Sequence, residues 1–179
     1  MRQTILIRMA CVLALAAMLA GCACNKPSML ATDFKPQIMD TAAYKPKVDN
    51  FMVIFDASAS MDTCYNGSNR LNTARAVVRN LNRTLPEMAI KGALRSFGQD
   101  KSISGDSSAL LYGVADYSTT AFQNALDRLT KAAGNSPLTY AIDAAGEDFA
   151  AASGSIALIV VSDGQNMDQA SIRAAEKLK

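Results

Sequence analysis

Asp56, Ser58 and Ser60 occupy alternating positions and follow directly on the apolar run Phe51-Met-Val-Ile-Phe55. A buried strand that ends in an acid and two hydroxyls delivers oxygen donors to one end of a sheet. Such donors suit a hard divalent cation: Mg²⁺ takes oxygens in near-octahedral array, keeps several waters and is poorly served by soft ligands. The segment therefore points to a divalent-metal site, with Mg²⁺ as the first candidate and Mn²⁺ or Ca²⁺ as alternatives.

Other chemistries fit less well. A hydrolase built on Ser58 or Ser60 normally wants histidine as its base; the chain has none, and no Ser-x-x-Lys lies near either serine. A phosphotransferase of the haloacid dehalogenase type also ends its first strand in Asp, but it normally carries a second Asp two residues on, where this chain has Ser58. Metal-assisted phosphate ester hydrolysis at Asp56 stays as the enzymatic alternative to a non-catalytic site. No glycine-rich phosphate loop and no dinucleotide fingerprint occurs, so nucleotide binding has no support.

Short apolar runs alternate with amphipathic stretches from Asn50 onward, the pattern of an α/β domain. Phe51 to Phe55 suits a strand buried on both faces. Arg70 to Leu85 places Leu71, Ala74, Val78, Leu81 and Leu85 on one helical face and is stopped by Pro86. Ala89 to Phe97 and Ser108 to Tyr117 read as strands, with Gln99 to Asp106 as a hairpin connection bordered by Gly98 and Gly105, which makes one strand antiparallel. Thr119 or Thr120 can cap a helix carrying Phe122, Ala125, Leu126 and Leu129, with Gly134 as its left-handed terminator. Ser136 before Pro137 fits a cap and first position of a helix that continues through Leu138, Ala141, Ile142, Ala145 and Phe149. Ser155 to Val161 is a further strand ending in Ser162-Asp163-Gly164, and Asp168 to Leu178 a last helix. The expected architecture is a doubly wound, mostly parallel sheet with one antiparallel strand and helices on both faces.

The polar residues at these junctions also have plain structural readings. Asp56 can brace a loop, Ser136 can cap, and Asp163-Gly164 is a common turn pair. Taken together, however, Asp56-x-Ser58-x-Ser60, Gly134-Asn-Ser136-Pro-Leu and Val161-Ser-Asp163-Gly164, in this order and each at a strand end or helix start, resemble the von Willebrand factor A domain over about 130 residues. The resemblance implies a metal-ion-dependent adhesion site in which the hydroxyls of Ser58 and Ser60 ligate directly and Asp56 and Asp163 act largely through bound water. Ser136 stands where the family usually has threonine, and Thr139 is the competing second-loop residue. A site whose direct protein ligands are mostly neutral leaves the ion short of negative charge, so the implied partner is a protein that donates an Asp or Glu. The family usually continues past the equivalent of the last helix with at least one more strand and a closing helix, so the resemblance implies a sheet incomplete on its C-terminal side, as in a fragment. Bacterial lipoproteins of similar arrangement often continue into an OmpA-like domain.

The first residues set the expected location. Arg2 and Arg8 precede an apolar run from Met9 to Ala20, too short to cross a bilayer, and then Leu19-Ala20-Gly21-Cys22. The quartet resembles the lipobox of bacterial lipoproteins, which implies removal of residues 1–21 and lipid on Cys22. Ala23, where some lipoproteins have an acid, implies by the same resemblance an outer-membrane protein facing the periplasm. Loss of residues 1–21 also removes both arginines and leaves sixteen basic against sixteen acidic residues, so nothing argues for nucleic acid as partner. Residues 22–49, with Lys26-Pro27, Lys35-Pro36 and Lys45-Pro46, read as a semi-rigid tether, and residues 50–179 as the domain. Cys24 and Cys64 are expected in an oxidising compartment, paired to each other or to an outside partner. A structural envelope lipoprotein without metal is the non-enzymatic alternative.

Overall fold

The computed structural model describes residues 24, 34–65, 67–99, 107–165 and 167–178. The expected signal peptide, Cys22 and much of the tether lie outside the described residues. Among the described residues no helix is long and apolar enough to cross a membrane.

The chain builds β1 (Asn50–Asp56), a 3-10 turn (Ala59–Asp62), a small hairpin of β2 (Cys64–Tyr65) and β3 (Ser68–Asn69), α1 (Arg70–Thr84), β4 (Lys91–Phe97), β5 (Ser108–Asp116), α2 (Thr119–Asp127), α3 (Leu138–Asp148), β6 (Ile156–Val161) and α4 (Gln169–Glu176). The main sheet has the order β5-β4-β1-β6. β1 is parallel to both neighbours, with Val53 opposite Leu94 on β4 and Ile159 on β6; β5 runs antiparallel to β4. This is the expected α/β architecture, one antiparallel strand included.

All of β1 is buried because it is central and covered on both sides. Alternate side chains point to opposite faces of a strand. Phe51, Val53 and Phe55 pack with Leu71, Val78, Phe122 and Leu126 from α1 and α2. Met52 and Ile54 pack with Leu138, Ile142, Ala145 and Ala174 from α3 and α4. Two helices thus cover each face.

Three helix boundaries differ from expectation. Ser118, one residue earlier than expected, caps α2 by accepting the Ala121 amide at 3.3 Å. That helix stops at Asp127, and Gly134, the expected terminator, instead bridges to Ser58 as a short parallel pair. The Ser136 cap is also not formed: α3 begins at Leu138 behind Pro137, whose ψ of 65° is not helical, and no side chain caps it. The Cys24 and Cys64 sulfurs are bonded to each other, so the chain before the domain is fastened beside the 3-10 turn. Residues 36–48 then lie against α1 and the sheet, where the Met39 amide donates to the Thr84 carbonyl at 3.2 Å.

Candidate metal centre

Open α/β sheets bind ligands in the crevice outside the carboxyl ends of their strands, where crossovers leave in opposite directions. The chain leaves β1 for β4 on one side and returns to β6 on the other. The carboxyl ends of β1 and β6 are where Asp56, Ser58, Ser60 and Asp163 sit.

Asp56 is fully buried at the end of β1. Its Oδ1 accepts the Ser58 amide at 2.8 Å, and its Oδ2 accepts the Ser162 hydroxyl at 2.7 Å. Each oxygen keeps a further lone pair, but both are already oriented by the protein. The Ser58 amide bond turns the chain sharply enough to bring the Ser58 and Ser60 hydroxyls within 3.2 Å of each other. Met61, 2% exposed, anchors the turn in the core beneath.

The second loop reaches the first through backbone. The Ala59 amide donates to the Gly134 carbonyl at 2.9 Å, and the Gly134 amide to the Gly98 carbonyl at 2.7 Å. Gly98 is required where these segments meet: its φ is +76°, and a Cβ there would stand 2.5 Å from the Asn135 carbonyl oxygen and 2.6 Å from the Ser58 nitrogen. Ser136 follows, and its Oγ is buried with no hydrogen-bond partner among the described residues. Native structures pair most buried polar atoms, so this hydroxyl marks a place for a water or an ion; Ser96 Oγ and Arg75 Nε are likewise buried without a partner among the described residues.

The third contribution comes from the turn after β6, which Gly164 completes at a φ of +80°. Asp163 Oδ1 accepts the Gln165 amide at 3.2 Å, and Oδ2 accepts from Arg70 Nη1 at 2.7 Å. Burial pushes this carboxyl up, but the Gln165 amide, the Ser60 hydroxyl and the Arg70 guanidinium outweigh it and hold the group below the usual carboxylate range. A cleft of about 550 Å³ opens alongside, lined by Ser136, Thr139, Tyr140, Asp143, Gln165 and Asp168 among others.

The fold therefore gathers Asp56, Ser58, Ser60 and Asp163 at one sheet end, with the Ser136 loop paired to Ser58. Thr139 lies within the first turn of α3 on the same cleft. Among the described residues no group of three or more His, Cys, Asp or Glu side chains is placed to hold a metal ion. The gathered set offers two carboxylates and the hydroxyls of three serines, a donor chemistry that fits Mg²⁺ or Mn²⁺ with water in part of the shell. Sequence reasoning missed two residues here. Ser162 braces Asp56, and only its place next to Asp163 could have drawn notice; Arg70 reaches Asp163 across 93 residues of sequence.

No protein-family model and no curated protein matches the chain. Among solved structures, the chain is similar to a conserved hypothetical protein, BatB, from Bacteroides thetaiotaomicron: 21% identical, with a TM-score of 0.56 over 72% of this chain. The match spans 60% of that chain's length. At this identity the likeness bears on fold alone, and with the topology above it shows an α/β fold consistent with the von Willebrand factor A, Rossmann-like kind.

Proposed function

We propose that the chain is a lipid-anchored protein of the bacterial envelope whose domain holds a divalent ion and, through it, an acidic group of a protein partner. The observation that carries this reading is the buried Ser136 hydroxyl, without a partner among the described residues, beside an oxygen-rich sheet end. Ser58, Ser60 and Ser136 would hold the ion, with Asp56 and Asp163 braced around it. A bound ion would supply a hard Lewis-acid centre that accepts one more oxygen. The protein's own task is to orient five oxygen-bearing side chains, and the cleft past Thr139 and Tyr140, which Ser136 lines, would be the approach for a partner's side chain.

The role proposed is adhesion or envelope assembly rather than turnover. Chelator-sensitive capture tests it: the chain and its Asp56→Ala variant are used to retrieve proteins from envelope extracts with and without EDTA. A partner retained by the natural chain, released by EDTA and absent with the variant is expected; retention indifferent to both would sink the reading. For the anchor, fatty-acid labelling is expected to disappear in Cys22→Ser, and persistent label would count against it.

A structural lipoprotein without metal is the second reading. The Arg70 guanidinium on Asp163 favours it, because a protein cation already balances that carboxylate.

A further inference from the structure

Arg70 opens α1, in the first turn, which contains no acidic residue. The amino end of a helix carries partial positive charge, so a cation there is unfavourable unless something nearby compensates. Asp163 does so: the 2.7 Å contact is charge-assisted, and the carboxylate side chain is only 7% exposed while that of Arg70 is 36% exposed. Removal of the guanidinium would leave Asp163 shielded from water and unbalanced. Arg70 itself has a route outward, since its side chain already reaches solvent and its backbone amide is held by the Thr63 carbonyl at 3.1 Å.

We infer that Arg70 is an internal counter-cation which competes with the divalent ion for Asp163, so that ion uptake expels the guanidinium towards solvent. This rests on the metal-binding reading and deepens it. A doubly charged ion drawn to the same carboxylate repels the guanidinium at short range, and a long flexible side chain yields more readily than the braced carboxylate. The cost of expulsion weakens ion binding by the free chain. Once released, Arg70 remains tethered at the rim, where its planar fork suits an arriving carboxylate. Ion and acidic partner then bind better together than either alone.

The test is Mn²⁺ titration by calorimetry on the full-length chain in detergent, natural and Arg70→Gln, with thermal melting in EDTA to establish that both are folded. Gln keeps much of the length and a donor but removes the charge. Tighter binding in Arg70→Gln, by about five- to twentyfold, is expected from loss of a short-range competing charge. Equal or weaker binding by the folded variant overturns the inference, because a residue that merely positions Asp163 would weaken binding when replaced. In a parallel measurement on the natural chain, phenylglyoxal modification of Arg70, read by mass spectrometry, should accelerate severalfold on addition of Mn²⁺, while Arg95, paired to Asp148, serves as the unresponsive control. Unchanged or slower modification of Arg70 in chain that binds Mn²⁺ overturns the inference even if Arg70→Gln does not fold. Absence of binding in both forms overturns the metal reading and this inference together; binding only in Arg70→Gln supports both.

Discussion

At the scale of single residues, Ser136 separates the structural from the functional reading most clearly. As a helix cap it would satisfy an amide, and its replacement by alanine would cost about 1 kcal/mol. The hydroxyl caps nothing and is buried without a partner among the described residues, so Ser136→Ala should leave the metal-free protein as stable or slightly more so, by up to about 1 kcal/mol. Urea unfolding in EDTA checks this, and a clear loss of stability would restore the capping role. The sequence suggested the cap because Ser before Pro is a common helix start; the non-helical ψ of Pro137 breaks that pattern. Asp56, Ser58 and Ser60 were legible as a group because they follow directly on the apolar run of β1, although only Asp56 lies on that strand and Ser60 falls in the 3-10 turn. Arg70 was not, since nothing local marks its pairing with a residue on a distant turn.

Among the elements, β1 is held at its start as well as through its core. Asp49 Oδ2 accepts the Ser155 amide at 2.7 Å and the Ser155 hydroxyl at 2.9 Å, which ties the start of β1 to the start of β6. The amide first, then the hydroxyl, holds the Asp49 carboxyl below its ordinary value. A depressed carboxyl contributes stability that is present above its unfolded value and lost as pH falls through the folded one, so the contribution should fade below about pH 4. Asp49→Asn should therefore flatten the acid limb of a stability profile measured by denaturant unfolding, while Glu87, Asp163 and Asp168, also depressed, keep their share. An acid limb identical in variant and natural chain would refute the tie. Long apolar or periodic segments were readable as elements: Phe51–Phe55 as a strand, Arg70 onward as a helix stopped before Pro86. The β2–β3 hairpin was not, because its two-residue strands form from mostly polar residues with no periodicity to betray them.

For the whole molecule, sheet order decides what the site can be. A central β1 between parallel neighbours brings the Asp56 loop and the Asp163 turn to one end, and the Cys24–Cys64 bond fastens the chain two residues past Cys22 beside that same end. The disulfide pairing could not be read from two cysteines separated by 40 residues; it depends on the fold that returns them to one place. On the other side, no described strand pairs with the outer edge of β6, and Ile156, Ile159 and Val160 are 37–40% exposed. All of this bears on function only if the sheet end holds an ion. Electron paramagnetic resonance of Mn²⁺ added to the full-length chain measures that directly, because the free ion's signal falls as ions bind. One ion bound per chain, with binding lost in Asp56→Ala and weakened at least tenfold in Ser136→Ala, roughly the loss of one ligand contact, is the expected result. A free-ion signal undiminished by the natural chain, or diminished equally by all three, would contradict the metal centre.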